Sequence, residues 1–222
     1  AVAMSNAQPR LDFDWKPLLL VPVLALLALP LVESPSTWLT LTVAGLAMGM
    51  IIFVIASGLT LVFGLMDVLN FGHGVFIAIG AFVATSVLGG MGGWTGSDEL
   101  WRNLVAVFTA MLVAMLVASA VGMVFERMLV RPVYGQHLKQ ILITMGGMII
   151  GEEIIKVIWG PQQIPLPLPD VVRGAWFIGD AAIERYRVLA MVIGLVVFAL
   201  LVYTLNRTKI GLLIRAGVQD RE

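Results

Sequence analysis

Residues 58–82 read GLTLVFGLMDVLNFGHGVFIAIGAF and are the most informative part of the sequence. It is apolar almost throughout, yet it carries Asp67, Asn70 and His73 close together. Polar side chains in so apolar a stretch must find partners or face a water-filled cavity. Glycines in a membrane protein let helices approach closely or let a helix break. We therefore interpret the stretch as a polar break between two membrane spans, with packing or flexing positions at Gly58, Gly64, Gly72, Gly74 and Gly80.

The composition is that of a polytopic membrane protein. The 222 residues are 59% hydrophobic and 13% charged, whereas a globular domain is about 45–50% apolar and about 25% charged. The net charge is zero, so no overall positive field indicates a nucleic-acid partner. The chain has no cysteine, which excludes disulfides and thiolate metal sites. The expected fold class is all-α, a helical membrane protein.

Six apolar runs predict about six transmembrane helices. A polar lead-in at residues 1–17 precedes a transmembrane domain at 18–205, and a basic tail follows at 206–222. The first run is short for a span, which needs roughly 20 apolar residues, and a signal peptide is the alternative. We favour a membrane helix because no convincing cleavage site follows. The runs are 18–32, 38–65, 74–88, 103–125, 140–159 and 188–205.

The distribution of lysine and arginine predicts the orientation of the spans. Loop 126–139 and the tail are rich in basic residues, whereas loop 89–102 has only one at its end. Loop 161–187 contains four prolines and mixed charges, as an external loop would. We expect both ends of the chain, the break at 66–73 and loop 126–139 to face the cytoplasm.

The polar residues of the break allow two interpretations. In the first, Asp67, Asn70 and His73 form a tight cytoplasmic turn with permissive backbone at the neighbouring glycines. In the second, they belong to a broken helix near the middle of the membrane and line a pathway. One histidine and one aspartate are too few ligands for a metal site, so no metal or cofactor is expected.

Charges elsewhere in the apolar runs have simpler explanations. Glu152 and Lys156 are four residues apart in the fifth run, which predicts an ion pair on one helix face. The spacing of apolar residues in the tail predicts an amphipathic helix, which either lies on the lipid headgroups or contacts a cytoplasmic partner.

An intramembrane enzyme that uses Asp67 and His73 is a further alternative, but the sequence offers no nucleophile with a base. No ATP-binding Gly-x-x-x-x-Gly-Lys-Ser/Thr motif is present either.

Several motifs resemble those of the branched-chain amino acid permeases of ATP-binding-cassette importers. The core Asn70-Phe-Gly-His-Gly74 is similar to the signature of one of the two permease types in these importers. Three further stretches agree, so that the resemblance covers roughly residues 40–222. They are Ile143-Thr-Met-Gly146, Ile158-Trp-Gly-Pro161 and Gly211-Leu-Leu-Ile-Arg-Ala-Gly-Val-Gln-Asp-Arg-Glu222.

The resemblance implies a transport subunit rather than an enzyme, in a bacterial cytoplasmic membrane. Its expected partners are a second permease, two cytoplasmic ATPases and an extracytoplasmic substrate-binding protein. The expected substrates are leucine, isoleucine and valine, with urea, short amides or other amino acids as alternatives. Family members continue beyond the coupling loop in which this sequence stops, so we expect a C-terminally truncated chain. ATPase coupling is expected at Arg215, Gln219, Asp220, Arg221 and Glu222.

Overall fold

Seven α-helices and one β-hairpin form the described part of the chain. The computed structural model describes residues 16–32, 34–66, 68–208 and 211. Short 3₁₀ segments follow α1 and precede α6, and a π-helical segment continues α5. The elements are α1 (Lys16–Ala28), 3₁₀ (Leu29–Leu31), α2 (Pro35–Met66), α3 (His73–Gly90), α4 (Gly92–Thr95), α5 (Leu100–Phe125), π (Glu126–Val130), 3₁₀ (Arg131–Val133), α6 (His137–Trp159), β1 (Ala175–Ile178), β2 (Ala181–Glu184) and α7 (Arg185–Arg207).

The predicted fold class, a polytopic helical membrane protein, is confirmed. Four helical segments in the described residues are long and apolar enough to cross a membrane: Pro35–Gly64, His73–Gly90, Leu100–Val133 and Arg185–Arg207. The fifth predicted run forms α6, which is 23 residues long. Any 18 consecutive residues of α6 contain at least three charges, which sets it apart from the other four. The first run forms the 13-residue α1, which contains Pro22.

The boundaries differ from the predicted ones at the polar ends of the helices. Helices α5, α6 and α7 each begin three residues earlier than predicted, because polar side chains extend a helix readily at the headgroup level. The predicted loop 126–139 is wrong over its first half, where the chain stays helical through Val133. Helix α2 begins at Pro35, whose missing N–H suits a first helical position, and the Ser34 hydroxyl accepts the Thr37 N–H at 3.2 Å.

The loop predicted at 161–187 contains a β-hairpin that was not predicted. Strands β1 and β2 pair antiparallel with Ile178 opposite Ala181, so that Gly179 and Asp180 form a two-residue turn. Gly179 has φ +60°, a left-handed conformation that such turns require. Strand β2 packs on α2, and the Asp170 N–H donates to the Thr95 carbonyl at 3.0 Å. The loop is therefore folded onto the ends of the helices.

The helices pack mainly in two pairs, α2 with α7 and α3 with α5. In the first pair, the Phe53 and Phe198 rings meet edge to face with centroids 5.6 Å apart. A Cβ added at Gly194 would lie 2.8 Å from the Met50 Cβ, so α7 needs glycine there to approach α2. Helix α6 packs against α3 and against the π segment that follows α5. This arrangement brings α6 alongside the break between α2 and α3.

Candidate functional site

The break is a short non-helical connection between α2 and α3. Helix α2 ends at Met66 and α3 begins at His73. Val68 and Gly72 are buried, whereas Leu69 and Asn70 are half-buried. Asp67, the first polar residue predicted for this site, lies outside the described residues. The site is therefore built from Asn70 and His73 together with the residues that contact the connection from other helices.

Asn70 organises the start of α3. Its Oδ1 accepts the Gly72 N–H at 2.9 Å, and its backbone carbonyl accepts the His73 N–H at 3.3 Å. This is the local turn that asparagine forms readily with the backbone two residues on. A Cβ added at Gly72 would lie 3.1 Å from the same Oδ1 and 3.3 Å from Phe125 Cζ. Glycine at position 72 therefore allows the connection to lie close to α5.

Thr144 of α6 holds the connection from the other side. Its side chain is fully buried, and its hydroxyl accepts the Phe71 N–H at 3.3 Å. The same hydroxyl lies 3.2 Å from the Leu69 carbonyl and 2.7 Å from the Gln140 carbonyl. It has a single hydrogen, so it donates to one of these carbonyls at a time. Thr144 thus satisfies backbone groups of the break that helix formation leaves unpaired.

His73 joins α3 to the middle of α2. Its Nε2 lies 3.1 Å from the Ile55 carbonyl, an acceptor, so Nε2 carries the hydrogen and donates it. A Cβ added at Gly58 would lie 3.2 Å from the His73 Cε1, so glycine at 58 leaves room for the ring. Gly58 and His73, which both belong to the predicted stretch, are therefore in direct contact across the break.

The break is recessed from the ends of the surrounding helices. Gly58, which faces His73, lies eight residues before the end of α2, or about 12 Å at 1.5 Å per residue. Thr144 lies seven residues after the start of α6, or about 10 Å. The backbone has the turn that the first interpretation predicts, and its contacts with Ile55, Gly58 and Thr144 set it back from the ends of α2 and α6. Whether the polar groups line a pathway stays a prediction.

An apolar groove of about 400 Å³ lies beside the break. Gly72 of the break and Trp159 at the end of α6 both line it. The Trp159 indole N–H donates to the Ser86 hydroxyl at 2.8 Å, and its ring stacks at a tilt on Phe82 with centroids 5.3 Å apart. The groove is lined by valine, isoleucine, leucine, phenylalanine and glycine residues of α3, α5, the π segment and α6.

The predicted glycines differ in what surrounds them. A Cβ at Gly64, Gly74 or Gly80 would meet nothing within 4 Å among the described residues, so their packing or flexing role stays a prediction. Close packing occurs instead at Gly147 and Gly151 of α6. A Cβ at Gly147 would collide with the Phe125 ring, and one at Gly151 would lie 2.5 Å from Val75 Cγ1. Their four-residue spacing was a signal in the sequence that could have identified them.

The predicted ion pair in α6 is wrong in its partner. Lys156 Nζ lies 2.6 Å from Glu153 Oε1, three residues away, instead of pairing with Glu152. Spacings of three and four residues both place side chains next to each other on a helix, and the ion pair here has the three-residue spacing. Glu152 is exposed and forms no direct ion pair among the described residues, but its charge also interacts with that of Lys156. Lys156 is therefore shared between the two carboxylates.

Two groups outside the spans have shifted pKa values. Burial raises the pKa of Tyr134 to about 12, together with the Glu126 carboxylate that accepts its hydroxyl at 2.7 Å. The hydrogen bond from Arg187 lowers the pKa of the Glu184 carboxyl. The first pair follows the end of α5, and the second lies at the start of α7. Among the described residues no group of three histidine, aspartate or glutamate side chains could hold a metal ion.

The tail residues predicted to contact an ATPase lie outside the described residues. They are Arg215, Gln219, Asp220, Arg221 and Glu222.

Comparison with known proteins identifies relatives over most of the chain. Residues 41–222 match the family model described as branched-chain amino acid transport system / permease component. The high-affinity branched-chain amino acid transport system permease proteins LivH of Salmonella typhimurium and of Escherichia coli K12 are each 26% identical over 182 residues, which cover 79% of this chain and 57% of theirs. BraD of Pseudomonas aeruginosa is 29% identical over 185 residues, 80% of this chain and 58% of its own. The chain thus spans less than two thirds of these relatives, and no solved structure matches it.

Proposed function

The chain belongs to the family of branched-chain amino acid transport permease components, and we propose that it is a membrane subunit of an ATP-driven importer for leucine, isoleucine or valine. The observation that carries the proposal is the polar break at 68–73, which is recessed among apolar helices. Polar groups among apolar helices are costly and therefore rare, and where they occur they commonly mark a binding or transport pathway. The family consists of transport subunits, so chemistry on the substrate is not part of the proposal.

The substrate contacts of the proposal use atoms that the fold leaves unoccupied. Asn70 Nδ2 and His73 Nδ1 form no hydrogen bonds with the described residues. Because His73 Nε2 carries the hydrogen, a neutral ring presents Nδ1 as an acceptor. An amino acid carries a carboxylate that accepts and an ammonium that donates, which suits these two atoms. Helix α3 also begins at this point, and the partial positive charge of its amino terminus favours the carboxylate.

Transport itself would follow an alternating-access scheme. The substrate-binding protein delivers the amino acid outside, and ATP-driven closure of two cytoplasmic ATPases rocks the spans. A second, related permease completes the pathway in a bacterial cytoplasmic membrane. The tail at 206–222 is the proposed contact with an ATPase, through the basic and acidic residues named above. The coarser statement, a multi-pass membrane protein of a transport system, already follows from the family and the apolar helices.

Uptake of radiolabelled leucine tests the function. The full-length permease is reconstituted in proteoliposomes with its second permease, ATPases and binding protein, and ATP-dependent accumulation is measured. We expect leucine uptake that unlabelled isoleucine and valine reduce and that urea does not. Assembly and ATP hydrolysis without leucine uptake, but with uptake of urea or a short amide, would keep the architecture and overturn the substrate.

A substitution at Asn70 tests the site. Asn70→Asp keeps the oxygen that accepts the Gly72 N–H, removes the Nδ2 donor and adds a negative charge that repels a carboxylate. We expect normal assembly and at least a tenfold loss of uptake, whereas Asn206→Asp, at an exposed position near the end of α7, should leave uptake unchanged. Wild-type uptake by the Asn70→Asp complex would remove this residue from the pathway.

A further inference from the structure

The first strand of the β-hairpin exposes three consecutive bulky apolar side chains. Trp176, Phe177 and Ile178 are 52%, 75% and 60% exposed. Successive side chains of a strand point to opposite faces, so β1 is apolar and open on both of its faces. On β2, by contrast, Ala181 and Ile183 are buried. The hairpin is therefore attached to the rest of the described chain through β2 and presents β1 outward.

Water is an unsuitable neighbour for β1. The hairpin has two strands, so one edge of β1 is unpaired within the sheet. Soluble proteins protect such edges with charges, prolines or covering segments, because an open apolar edge recruits other chains. The four residues of β1 include neither a charge nor a proline. An apolar surface of this kind marks contact with a membrane or with another protein.

The hairpin lies at the level where two membrane spans begin. Strand β2 continues directly into α7 and packs on α2, and both helices are long and apolar enough to cross a membrane. Met50 of α2 meets Gly194 of α7 15 and nine residues after the respective helix starts at Pro35 and Arg185. At this end α2 therefore extends six residues, or about 9 Å, beyond the start of α7. The first turns of α2 are thus the part on which β2 can pack.

This interval is comparable to the polar layer on each side of a bilayer, which is about 5–8 Å thick. Tryptophan and arginine side chains are typical of that layer. The Arg185 guanidinium lies 5.9 Å from the centroid of the Trp176 ring. On the neighbouring segment, Trp94 and Trp101 are also exposed, and their rings meet edge to face with centroids 5.5 Å apart. This end of the helices therefore has the composition of a lipid interface.

We infer that the hairpin is an interfacial anchor, and that the surface of β1 is covered by the lipid that α2 and α7 cross. The strand lies in the headgroup layer, and Phe177 reaches the boundary of the acyl chains. Asp180, exposed in the turn, keeps the hairpin at this level, because a carboxylate deeper in the hydrocarbon is costly. The anchor sets the depth of α7 in the bilayer, since β2 joins it without a linker. The inference depends on the apolar spans and not on the transported substrate.

A fluorescent label at position 177 tests the depth of β1. The chain has no cysteine, so Phe177→Cys provides a single attachment point for the environment-sensitive dye NBD. The full-length permease is reconstituted with its importer partners in proteoliposomes that contain nitroxide-labelled lipid. We expect a nitroxide near the headgroup to quench this label about twice as strongly as one at the end of the acyl chain, as for an interfacial side chain. Iodide, present on both sides, should quench it weakly.

Two reference positions calibrate the measurement. A label at Leu195→Cys, an exposed position near the middle of α7, should be quenched most by the deep nitroxide. A label at Asp98→Cys, an exposed acidic loop position, should be quenched most by iodide.

Three results with the Phe177→Cys label would overturn the inference. Stronger quenching by iodide than by either nitroxide would show that β1 faces water. Shielding from both quenchers would show that a protein covers it. Protection from iodide that appears only with saturating substrate-binding protein would assign the surface to that soluble protein.

A charge at the same position provides a test that needs no label. Phe177→Asp brings a carboxylate to the acyl boundary, whereas Phe177→Leu keeps an apolar side chain there. We expect the thermal unfolding midpoint in proteoliposomes to be lower for Phe177→Asp than for Phe177→Leu, and Asp98→Lys to match the wild type. Equal midpoints for the two variants at position 177 would contradict a lipid contact.

Discussion

A methyl group added at Gly151 should separate α6 from α3. The new Cβ would lie 2.5 Å from Val75 Cγ1 and 3.5 Å from Val75 Cβ. Non-bonded carbon atoms prefer roughly 3.5–4.0 Å, so either the helices move apart by about 1 Å or the valine rotates. Valine in a helix strongly prefers one rotamer, so rotation is also costly. Overpacking of this kind typically costs about 1–3 kcal/mol.

Gly146 provides the matched control in the same helix. A Cβ at Gly146 would meet nothing within 4 Å among the described residues. Both glycine-to-alanine changes gain the same helix propensity, about 1 kcal/mol, so their difference isolates the contact with Val75. We expect Gly151→Ala to have a free energy of unfolding about 1–3 kcal/mol below that of Gly146→Ala. Unfolding is followed by circular dichroism as the purified full-length protein in mixed micelles is titrated with a denaturing detergent.

A second substitution should reverse the loss. Val75→Ala removes both methyl groups that the added Cβ would meet, so the double variant should regain most of the difference. The double-mutant cycle then gives a favourable coupling between the two positions. Equal stability of Gly151→Ala and Gly146→Ala, or no coupling with Val75→Ala, would show that α6 does not pack on α3 at this point.

Three further predictions concern the break and the end of α5. Thr144→Val removes the hydroxyl that pairs backbone groups of the break, and we expect the free energy of unfolding to fall by about 1–3 kcal/mol in the same titration. Thr60→Val should lower it less, because the Thr60 hydroxyl bonds within α2. His73→Ala should reduce leucine uptake at least tenfold, whereas His73→Gln, which keeps an N–H donor toward α2, should fold normally; equal uptake by His73→Ala and the wild type would contradict the proposed role. Tyr134 should ionise near pH 12 in an absorbance titration, and Glu126→Gln should lower that midpoint toward 10. Because the pKa of Tyr134 is raised in the folded protein, the protonated tyrosine stabilises the fold fully below pH 10, and this stabilisation disappears as the pH rises through 12.

The helices could be predicted from the sequence because their apolar runs are long and bounded by turn residues. Helix α6, for example, ends where Gly160 has φ +87° and Pro161 follows, a combination that stops a helix. The hairpin was missed because prolines and charges dominate its loop. The Gly179-Asp180 pair between two short apolar segments was the signal that could have predicted it.

The depth of the break could not be predicted from the sequence. Turn residues in an apolar stretch indicate that the chain bends, but they do not say where along the neighbouring helix the next one starts. That position depends on contacts between residues far apart in the chain, such as His73 with Ile55 and Phe71 with Thr144. The partner of Lys156 was equally undetermined, because spacings of three and four residues are both favourable on a helix.

The packed side of α6 joins the break to the neighbouring helices through one continuous element. Thr144 pairs backbone groups of the break, and about one and two turns farther along Gly147 and Gly151 leave room for the Phe125 ring and the Val75 side chain. Because a continuous helix transmits displacement along its length, a shift of α6 against α3 or α5 also moves the residue that holds the break. The position of the break therefore depends on how α6 packs as well as on the turn residues of the break itself.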